Sequence, residues 1–361
     1  MKIVFDNIIY SLQAGGGISL YWTELIKRIS KKKSTIFYEF QNANIHRKKI
    51  KLKNIVESKI TPKLLRYFPF QRQLPPKSIF HSSYLRTTFQ KDVVKITTIH
   101  DFTYEYFGKG LSKFIHSRQK KLAIENSDGI ICVSDNTKKD LFKHYPNIDK
   151  KKVKTIYNSS SDEFYPIKKI NKNNVNKKFK NLINKKIILY VGERKSSYKN
   201  FDLAVDIASS LKNFVFLTVG ASKINLREQK LLDKKLNGNF YHFTKITSKE
   251  LNFIYNISYC LIYPSSYEGF GIPVIEAMKT GCPVVSTNFS SIPEIAGKAA
   301  ILVKKIDKNS FIKAIKLLEN KSLKKMLIKK GLSQADKFSW DKCYLETLKF
   351  YEQAYRWKFY K

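Results

Sequence analysis

Residues 260–283 read CLIYPSSYEGFGIPVIEAMKTGCP and place a strand, a glycine turn and a helix in immediate succession. The apolar run that ends at Pro264 predicts a buried strand, and the helix is expected to begin near Ile272. The Gly-Phe-Gly turn between them exposes backbone N–H groups at the helix N-terminus, where the helix dipole favours an anion. The stretch therefore predicts an α/β fold with a phosphate-type site, and an ordinary structural turn is the alternative interpretation.

Two glutamates flank this turn. Glu276 lies in the first turns of the predicted helix, where a carboxylate can accept two hydrogen bonds from a ribose diol. Glu268 precedes the turn and is expected to face a ligand cleft. Gly281 and Pro283 end the helix in the usual way. The pair of acids around the turn makes this pattern more specific than a glycine turn alone.

Outward from this block, short β-branched and aromatic runs alternate twice with amphipathic helical stretches, which is typical of parallel α/β layers. The first set of predicted strands lies at Lys2–Asn7, Ile36–Phe40, Ser78–Phe80, Val94–His100, Gly129–Val133 and Val153–Tyr157, with a helix over Ile18–Ser30. The second set lies at Ile187–Gly192, Phe214–Gly220, Cys260–Pro264, Pro283–Thr287 and Ala300–Val303. The predicted organisation is a domain over 1–166, an exposed Lys/Asn-rich linker over 167–186, a domain over 187–339 and an amphipathic C-terminal helix over 340–361.

The composition limits the classes of protein that fit. The 361 residues suffice for two domains, and a net charge of +39 attracts anionic partners. Because Lys far outnumbers Arg, sequence-specific nucleic-acid binding is disfavoured, and codon bias remains an alternative origin of the charge. The basic runs 46–51 and 150–154 are candidates for an anionic membrane surface, with a solvated face as the alternative.

Cysteine usage and apolar runs bear on the compartment. The four cysteines form no C-x-x-C or zinc pattern and are expected to be buried apolar residues in a reducing compartment. Asp6 interrupts the N-terminus before a signal-peptide core develops, and no apolar run has the length of a membrane span. We therefore expect a cytoplasmic protein that is soluble or peripheral at the inner membrane.

A second candidate site opens the second predicted domain, where residues 190–202 read YVGERKSSYKNFD. Gly192 ends a strand and lets the backbone approach a ligand. Arg194 and Lys199 are then placed to clamp a diphosphate after the first strand of a Rossmann-like unit. Two ordinary exposed cations are the alternative.

The first predicted domain carries its own candidates at the carboxyl ends of strands, where open parallel sheets place ligands. Gly15, Gly16 and Gly17 follow the first strand, and their spacing differs from the dinucleotide-binding fingerprint. The other candidates are His100, Asp101, Ser134 and, more weakly, Asn158. Each of them alone also fits a helix cap or turn residue.

Several catalytic motifs are missing from the chain. It has no Walker P-loop, no H-E-x-x-H, no G-x-S-x-G and no Asp-x-Asp pair. We therefore expect neither a metal nor a separate cofactor.

These features together resemble the family 4 retaining glycosyltransferases (glycosyl transferases group 1) over nearly the whole chain. The matching elements are the Gly15–Gly17 loop, Ile99-His100-Asp101, Val133-Ser134, Val191-Gly192-x-Arg194 with Lys199-Asn200, Glu268 with Glu276, and Ser290-Ser-Ile-Pro-Glu294-Ile. The chain looks most like bacterial members that build O-antigen, capsule and related surface polysaccharides. In one departure, the chain has Asn158-Ser-Ser-Ser-Asp162 where the family often has Asn-Gly-Val-Asp.

The resemblance implies the GT-B fold, in which two Rossmann-like domains face each other across a cleft and a C-terminal helix crosses back to the N-terminal domain. It also implies roles for the candidate residues. Arg194, Lys199 and the backbone of Gly269, Phe270 and Gly271 would hold the donor diphosphate beside Gly192, Glu276 the ribose, and Glu268 the donor sugar. His100 would lie at the sugar and β-phosphate, Gly16 and Gly17 would close the first-domain side, and Asp101 and Ser134 are acceptor-side candidates.

The implied activity is metal-independent, retaining transfer of a hexosyl group from a nucleoside diphosphate sugar to a lipid-linked saccharide. Mannose from a GDP-sugar is the first expectation and a UDP-sugar the next. The alternatives are another GT-B activity, namely inverting transfer or sugar synthesis, a nucleotide-sugar-binding protein without turnover, and a nucleic-acid binder. Loss of Lys199 or Arg194 is expected to abolish transfer and leave the fold intact.

Overall fold

The computed structural model describes residues 1–58, 62–170 and 175–360. The chain divides into two compact units. The first contains residues 1–159 together with the C-terminal segment from Ser339, and the second contains Ser160–Phe338.

Within the described residues, the first unit contains a seven-stranded sheet in which every pair of neighbours is parallel. Its spatial order is β3-β2-β1-β4-β5-β6-β7. The strands are β1 (Ile3–Asp6), β2 (Thr35–Phe40), β3 (Ile55–Ser58), β4 (Ile79–Ser82), β5 (Val94–Ile99), β6 (Gly129–Cys132) and β7 (Val153–Thr155). The helices are α1 (Ile9–Leu12), α2 (Gly17–Ile29), α3 (Pro62–Leu65), α4 (Thr103–Phe107), α5 (Gly110–Glu125) and α6 (Asp135–His144).

Within the described part of the second unit, a six-stranded sheet has the order β10-β9-β8-β11-β12-β13 and is also parallel throughout. The strands are β8 (Ile187–Val191), β9 (Val215–Val219), β10 (Phe240–Phe243), β11 (Cys260–Tyr263), β12 (Val284–Thr287) and β13 (Ile301–Val303). The helices are α7 (Phe201–Ser209), α8 (Leu226–Leu236), α9 (Ser248–Ile257), α10 (Ile272–Thr280), α11 (Ile292–Ala296), α12 (Lys308–Leu317) and α13 (Lys321–Ala335).

The central strands are short. They are fully buried because helices cover parallel sheets on both faces. Residues 187–191, for example, read IILYV, a continuous apolar run of the kind that such strands need. Side-chain caps define where several helices begin. Asn225 and Glu228 form a capping box at α8, and Thr247 and Glu250 form another at α9.

The C-terminal helix α14 (Trp340–Phe359) belongs to the first unit, as the family resemblance implied. It packs against α2, and Trp340, Phe350 and Tyr351 join the core that also contains Trp22. The Tyr351 hydroxyl is hydrogen-bonded to His81 Nδ1 of β4, and His81 Nε2 lies 2.9 Å from Thr98 Oγ1. Burial of each large aromatic side chain contributes on the order of 2 kcal/mol, so this helix completes the core of the unit.

One local prediction needs correction, and several elements were not predicted. Strands β3 and β10, both at sheet edges and only partly buried, were not predicted, and α1 lies between β1 and the triple-glycine loop. The segment 167–186 was predicted to be an exposed linker and lies in the second unit, in its described parts. There Phe179 and Leu182 are buried, and Phe179 stacks with Phe253 at 5.7 Å between ring centroids. Burial of these two apolar side chains explains why the segment packs against its own unit.

All four cysteines are free and buried, which confirms that part of the prediction. No helix among the described residues has the length and apolar character to span a bilayer.

Candidate functional site

The central strands of the second unit, β8 and β11, are hydrogen-bonded neighbours at the point where the strand order reverses. Chain order runs outward from β8 through β9 and β10 on one side, and from β11 through β12 and β13 on the other. Open parallel sheets bind ligands outside the carboxyl ends of strands at such a switch point. The loop after Val191 and the loop after Tyr263 both begin at this edge.

Lys199 and Glu268, which the sequence predicted for one site, are brought together here. Lys199 ends a 3₁₀ turn over Ser197–Lys199, directly before α7. Its Nζ lies 2.5 Å from Glu268 Oε1 and 3.2 Å from the Tyr263 hydroxyl oxygen. The two charged side chains are 13% and 10% exposed, so the ion pair is largely shielded from water. The site thus holds a cation whose counter-charge is a neighbouring carboxylate.

The two loops are tied to each other by Asn200. Its Nδ2 donates to the Pro264 carbonyl and to Ser266 Oγ, each at 2.8 Å. The Ser266 N–H donates in turn to the Tyr198 carbonyl at 2.8 Å. These bonds connect the residues next to Lys199 with the residues just ahead of Glu268, and so fix the ion pair in place.

The glycine turn lies at the N-terminus of α10, as predicted. Ser291 Oγ donates to the carbonyls of Glu268 and Phe270, both at 2.9 Å, and Ser290 Oγ also donates to Glu268. Gly271 is the N-cap residue with φ of 101°, a conformation that glycine adopts without strain. Because the serine hydroxyls donate to the carbonyls of the turn, they fix the orientation of its peptide groups at the N-terminus of α10.

Glu276 is buried on α10 and accepts a hydrogen bond from the Tyr255 hydroxyl of α9 at 3.0 Å. Burial raises the pKa of Glu276 to about 7, against smaller opposing effects of Tyr255 and Lys279. The carboxyl therefore changes its protonation state near neutral pH. The sequence did not reveal Tyr255 as its partner.

Arg194 has a different environment from the one predicted. Its Nη2 lies 3.1 Å from Glu228 Oε2 and donates to the carbonyls of Ser222 and Lys223, both at 2.9 Å. Both charged side chains are almost fully buried, and Glu228 also belongs to the capping box of α8. The structure joins Arg194 to the β9–α8 loop and does not place it in the Lys199–Glu268 ion pair.

This environment corrects the expectation that loss of Arg194 leaves the fold intact. Without the guanidinium, the buried Glu228 carboxylate would lose its ion-pair partner, which is strongly destabilising. Arg194 Nη1 is buried without a hydrogen-bond partner among the described residues. Gly220 leaves room for it, since a Cβ at Gly220 would lie 2.6 Å from Nη1.

In the first unit, His100 and Asp101 follow β5 at the carboxyl edge of the sheet. The His100 ring lies edge-on to Tyr21 at 5.1 Å between centroids, and burial lowers its pKa. Lys120 Nζ donates to the Asp101 carbonyl at 2.8 Å. Burial alone would raise the pKa of the Asp101 carboxyl. The Lys120 charge and the hydrogen bond from the Thr103 N–H outweigh that effect, so the pKa lies below its ordinary value and the carboxylate stays ionised.

The remaining candidates of this unit have local roles. Ser134 is the N-cap of α6. Its hydroxyl oxygen accepts a hydrogen bond from the Thr137 N–H, with 3.0 Å between Oγ and the backbone nitrogen. This is the cap interpretation that the sequence left open beside an acceptor-side role. Gly16 is the N-cap of α2 and Gly17 its first residue. Asn158 is buried in the segment after β7.

Among the described residues, no group of three or more His, Cys, Asp or Glu side chains is arranged to hold a metal ion.

Two family models match the chain. Glycosyltransferase Family 4 matches residues 15–162, and Glycosyl transferases group 1 matches residues 172–334. The matches correspond to the two units and contain all the candidate residues.

Curated relatives match shorter regions. An O-antigen chain mannosyltransferase B of Escherichia coli is 35% identical over 30% of this chain and 28% of its own length. The O-antigen chain mannosyltransferase RfbU of Salmonella typhimurium is 27% identical over 62% of this chain and 60% of its own length. The chain thus spans less than two thirds of the length of these relatives.

Solved structures match the whole chain. The Anabaena protein HepE in complex with UDP-glucose has a TM-score of 0.75 at 13% identity, covering 98% of this chain and 100% of that one. WaaG, a glycosyltransferase involved in lipopolysaccharide biosynthesis, has a TM-score of 0.67 at 13% identity, with 100% of each chain covered. The parallel sheets, the returning C-terminal helix, the two family matches and these structural likenesses agree. The chain belongs to the glycosyl transferases group 1 family and has the GT-B fold.

Proposed function

We propose that the protein is a retaining glycosyltransferase that moves a hexosyl group from a nucleoside diphosphate sugar to a lipid-linked saccharide in surface-polysaccharide synthesis. The observation that carries the proposal is the Lys199–Glu268 ion pair beside the glycine turn, at the switch point of the second sheet. Relatives named O-antigen mannosyltransferases support mannose as the sugar, with a GDP-sugar as the first donor to test.

In this proposal the donor diphosphate binds where Lys199 and the N-terminus of α10 supply positive charge. Gly192 and the Gly269–Gly271 backbone approach the phosphates closely. Glu268 holds the sugar hydroxyls once the phosphate takes over the contact with Lys199, and Glu276 accepts hydrogen bonds from the ribose. Arg194 contributes its charge from the buried position that it shares with Glu228.

The proposed reaction is front-face attack by an acceptor hydroxyl. The bond between the sugar C1 and the leaving phosphate oxygen breaks while the bond from the acceptor oxygen to C1 forms on the same face. The acceptor proton passes to the departing phosphate, so no protein carboxylate serves as nucleophile. Negative charge grows on the diphosphate, and Lys199 with the oriented N–H groups stabilises it. Removal of one such donor typically costs about 3 kcal/mol, roughly a hundredfold in rate.

The same charge distribution leads us to propose that transfer needs no divalent cation. Lys199 and the N-terminus of α10 offer the compensation that a metal ion gives to a leaving diphosphate in other enzymes. Unchanged turnover in the presence of EDTA is the expected result, and loss of turnover restored by Mg²⁺ would contradict it.

The first unit supplies the remaining assignments that the family resemblance implies. His100 would contact the donor sugar and β-phosphate, with Gly16 and Gly17 closing that side, and Asp101 is an acceptor-side candidate. These assignments stay predictions. We place the protein in the cytoplasm at the inner membrane surface, because the proposed acceptor is lipid-linked and the net charge of the chain is high.

The test of the proposed function is transfer from a panel of GDP-, UDP-, ADP-, dTDP- and CDP-sugars to lipid-linked saccharides extracted from bacterial membranes. We expect one hexosyl donor to be consumed, with a product whose anomeric configuration, read by NMR, equals that of the donor. A product of inverted configuration would contradict retention. Tight nucleotide-sugar binding without any product from the full panel would favour a binding protein.

A further inference from the structure

His81 is fully buried on β4, the middle strand of the first sheet. Aromatic side chains enclose its ring: Trp22, Tyr351 and Phe5 lie at 4.9, 5.7 and 6.5 Å between ring centroids. Burial lowers the pKa of His81 to about 3, so the imidazole is neutral at physiological pH. A neutral imidazole has one nitrogen that donates and one that accepts, so a partner on each nitrogen uses its full hydrogen-bonding capacity.

Both nitrogens of His81 have such a partner. Nδ1 is hydrogen-bonded to the Tyr351 hydroxyl of α14, and Nε2 lies 2.9 Å from Thr98 Oγ1 of β5. Thr98 Oγ1 lies in turn 3.2 Å from the Tyr21 hydroxyl oxygen of α2. All four side chains are buried in the first unit. We call Tyr351, His81, Thr98 and Tyr21 the buried hydrogen-bond chain.

This chain ends beside His100. The Tyr21 and His100 rings lie 5.1 Å apart between centroids at an interplanar angle of 79°, which is an edge-to-face arrangement. Thr98 precedes His100 by two positions at the end of β5, and side chains at that spacing lie on the same face of a strand. Tyr21 is therefore bonded to Thr98 through its hydroxyl and packs on His100 through its ring.

The hydroxyl of Tyr21 has a role that packing alone does not fill. The Trp340 ring covers Tyr21 at 6.3 Å between centroids, and burial of this kind is non-directional. A hydrogen bond, in contrast, fixes a distance and a direction. The bond to Thr98 thus determines where the Tyr21 ring lies, and that ring limits the positions open to the His100 imidazole.

We propose that Tyr21 is a positioning residue for His100, and that the buried hydrogen-bond chain holds Tyr21 in place. The inference rests on the proposed function, in which His100 contacts the donor sugar and the β-phosphate. A contact of this kind loses much of its effect on the rate when the side chain is displaced by about 1 Å. Helix α14 thus contributes to the reaction through Tyr351 and the orientation of His100, in addition to completing the apolar core.

The same core holds a comparable bond that is separate from this chain. The Tyr10 hydroxyl oxygen of α1 lies 2.8 Å from Thr23 Oγ1 of α2 and is also buried. Tyr10 and Tyr21 both belong to the main core of the first unit. Tyr10→Phe and Tyr21→Phe each remove one buried bond between a tyrosine and a threonine and keep the ring. The two variants should therefore lose similar stability and differ in their effect on His100.

The first test observes His100 directly and needs no ligand. It uses NMR spectra of the full chain with ¹³C-labelled histidine, in which only six residues give signals. The His100 ring signal is identified by its loss in His100→Gln. We expect Tyr21→Phe and Thr98→Val to shift this signal, because the Tyr21 ring moves relative to the imidazole. Tyr10→Phe should leave it in place, as should Thr98→Ser, which keeps the hydroxyl.

The far end of the chain has its own pair of variants on α14. Tyr351→Phe removes the hydroxyl that is bonded to His81 Nδ1 and should also shift the His100 signal. Tyr355→Phe, one turn further along the helix and partly buried, is the matched control and should not shift it. An unshifted signal in Tyr351→Phe would contradict the contribution of α14 to the position of His100.

The second test is steady-state transfer with the donor that the panel of nucleoside diphosphate sugars selects, GDP-mannose being the first. Tyr21→Phe and Thr98→Val should lower kcat about tenfold and leave the KM for the donor close to the wild-type value. Tyr10→Phe should change neither constant. In the His100→Gln background Tyr21→Phe should have no further effect on kcat, because both changes then act through one missing group.

Thermal unfolding of every variant separates positioning from stability, and the midpoints of Tyr21→Phe and Tyr10→Phe should fall by similar amounts. An unchanged His100 signal in Tyr21→Phe and Thr98→Val would overturn the proposal, as would equal losses of kcat in Tyr21→Phe and Tyr10→Phe. If the wild type transfers from no donor while the His100 signal shifts as expected, the proposed function fails and the positioning of His100 by Tyr21 stands.

Discussion

Lys199 Nζ lies 2.5 Å from Glu268 Oε1, although 69 residues of chain separate them. The contact exists because β8 and β11 are adjacent parallel strands whose following loops meet at one edge of the sheet. In the free protein each charge neutralises the other. A diphosphate that binds Lys199 would release Glu268 to contact the sugar, so this one ion pair relates the two halves of the proposed donor site.

Glu268→Gln separates sugar recognition from phosphate recognition. We expect transfer to fall about a hundredfold, because the carboxylate that holds the sugar hydroxyls is lost. Binding of the nucleoside diphosphate alone should be no weaker, since Lys199 then has no competing carboxylate. Steady-state kinetics and calorimetric titration measure the two effects, with the exposed Glu193→Gln as the control. Parallel losses of turnover and diphosphate binding would refute the assignment of Glu268 to the sugar.

Glu276→Gln tests the buried carboxyl. Its folded pKa of about 7 lies above its ordinary value of 4.5, so the folded state favours the protonated form. The stability contribution is therefore largest at low pH and is lost as pH rises through about 7. The free energy of unfolding of Glu276→Gln minus that of the wild type should therefore be larger at about pH 8 than at about pH 5. Urea unfolding at both pH values measures this difference, and a difference independent of pH would show that Glu276 is ionised throughout.

Arg194→Ala should destabilise the protein as well as impair transfer. The ion pair with Glu228 is buried, and an unpaired buried carboxylate costs about 3–5 kcal/mol. Arg227→Ala is the matched control, because its pair with Asp202 is exposed and should contribute at most about 1 kcal/mol. Denaturant unfolding measures the loss in free energy of unfolding for both variants. Equal, small losses would mean that Arg194 is free of this structural role.

Gly271→Ala tests the glycine turn. At φ of 101° any side chain is strained, and a Cβ there would lie 3.0 Å from Ile292 Cδ1. Gly238 has φ of 77°, and a Cβ added to it would meet nothing within 4 Å, so Gly238→Ala reports backbone strain alone. We expect Gly238→Ala to lower the free energy of unfolding by about 1 kcal/mol and Gly271→Ala to lower it by more. Nucleotide binding should weaken only in Gly271→Ala; unchanged binding would argue against a role of the turn.

The central strands, the two-sheet arrangement and the C-terminal helix were predictable because their patterns are long or continuous. Residues 187–191 are apolar throughout, and α14 has aromatic residues at helical spacing over twenty residues. Edge strands β3 and β10 escaped prediction because their side chains are only partly buried, so their residues do not form the continuous apolar run that marks a central strand. Phe179 and Leu182 were overlooked because they stand in a Lys/Asn-rich segment whose composition resembles a linker.

Only the placement of the candidate residues on the fold was predictable. Lys199 and Glu268 lie in the loops that follow β8 and β11, Glu276 lies within α10, and those positions are readable from the sequence. Glu228 was missed because it lies on a helix rich in charged residues, where the sequence does not show which carboxylate is buried. Its partnership with Arg194 depends on how the β9–α8 loop folds back. Tyr255 is likewise an aromatic residue of α9 whose hydroxyl contact depends on the packing of two helices.

The most direct test of the central claim is thermal unfolding of the wild type, Lys199→Ala and Lys195→Ala with GDP, UDP, ADP, dTDP and CDP in turn. Lys195 is an exposed cation of the same loop and serves as the control. At about 100 times its dissociation constant, a ligand adds about 2.7 kcal/mol, which shifts the midpoint by a few degrees. We predict that one nucleotide stabilises the wild type and Lys195→Ala, and that Lys199→Ala shows little or no shift. An equal shift in Lys199→Ala would contradict the assignment of the donor diphosphate to the Lys199–Glu268 site.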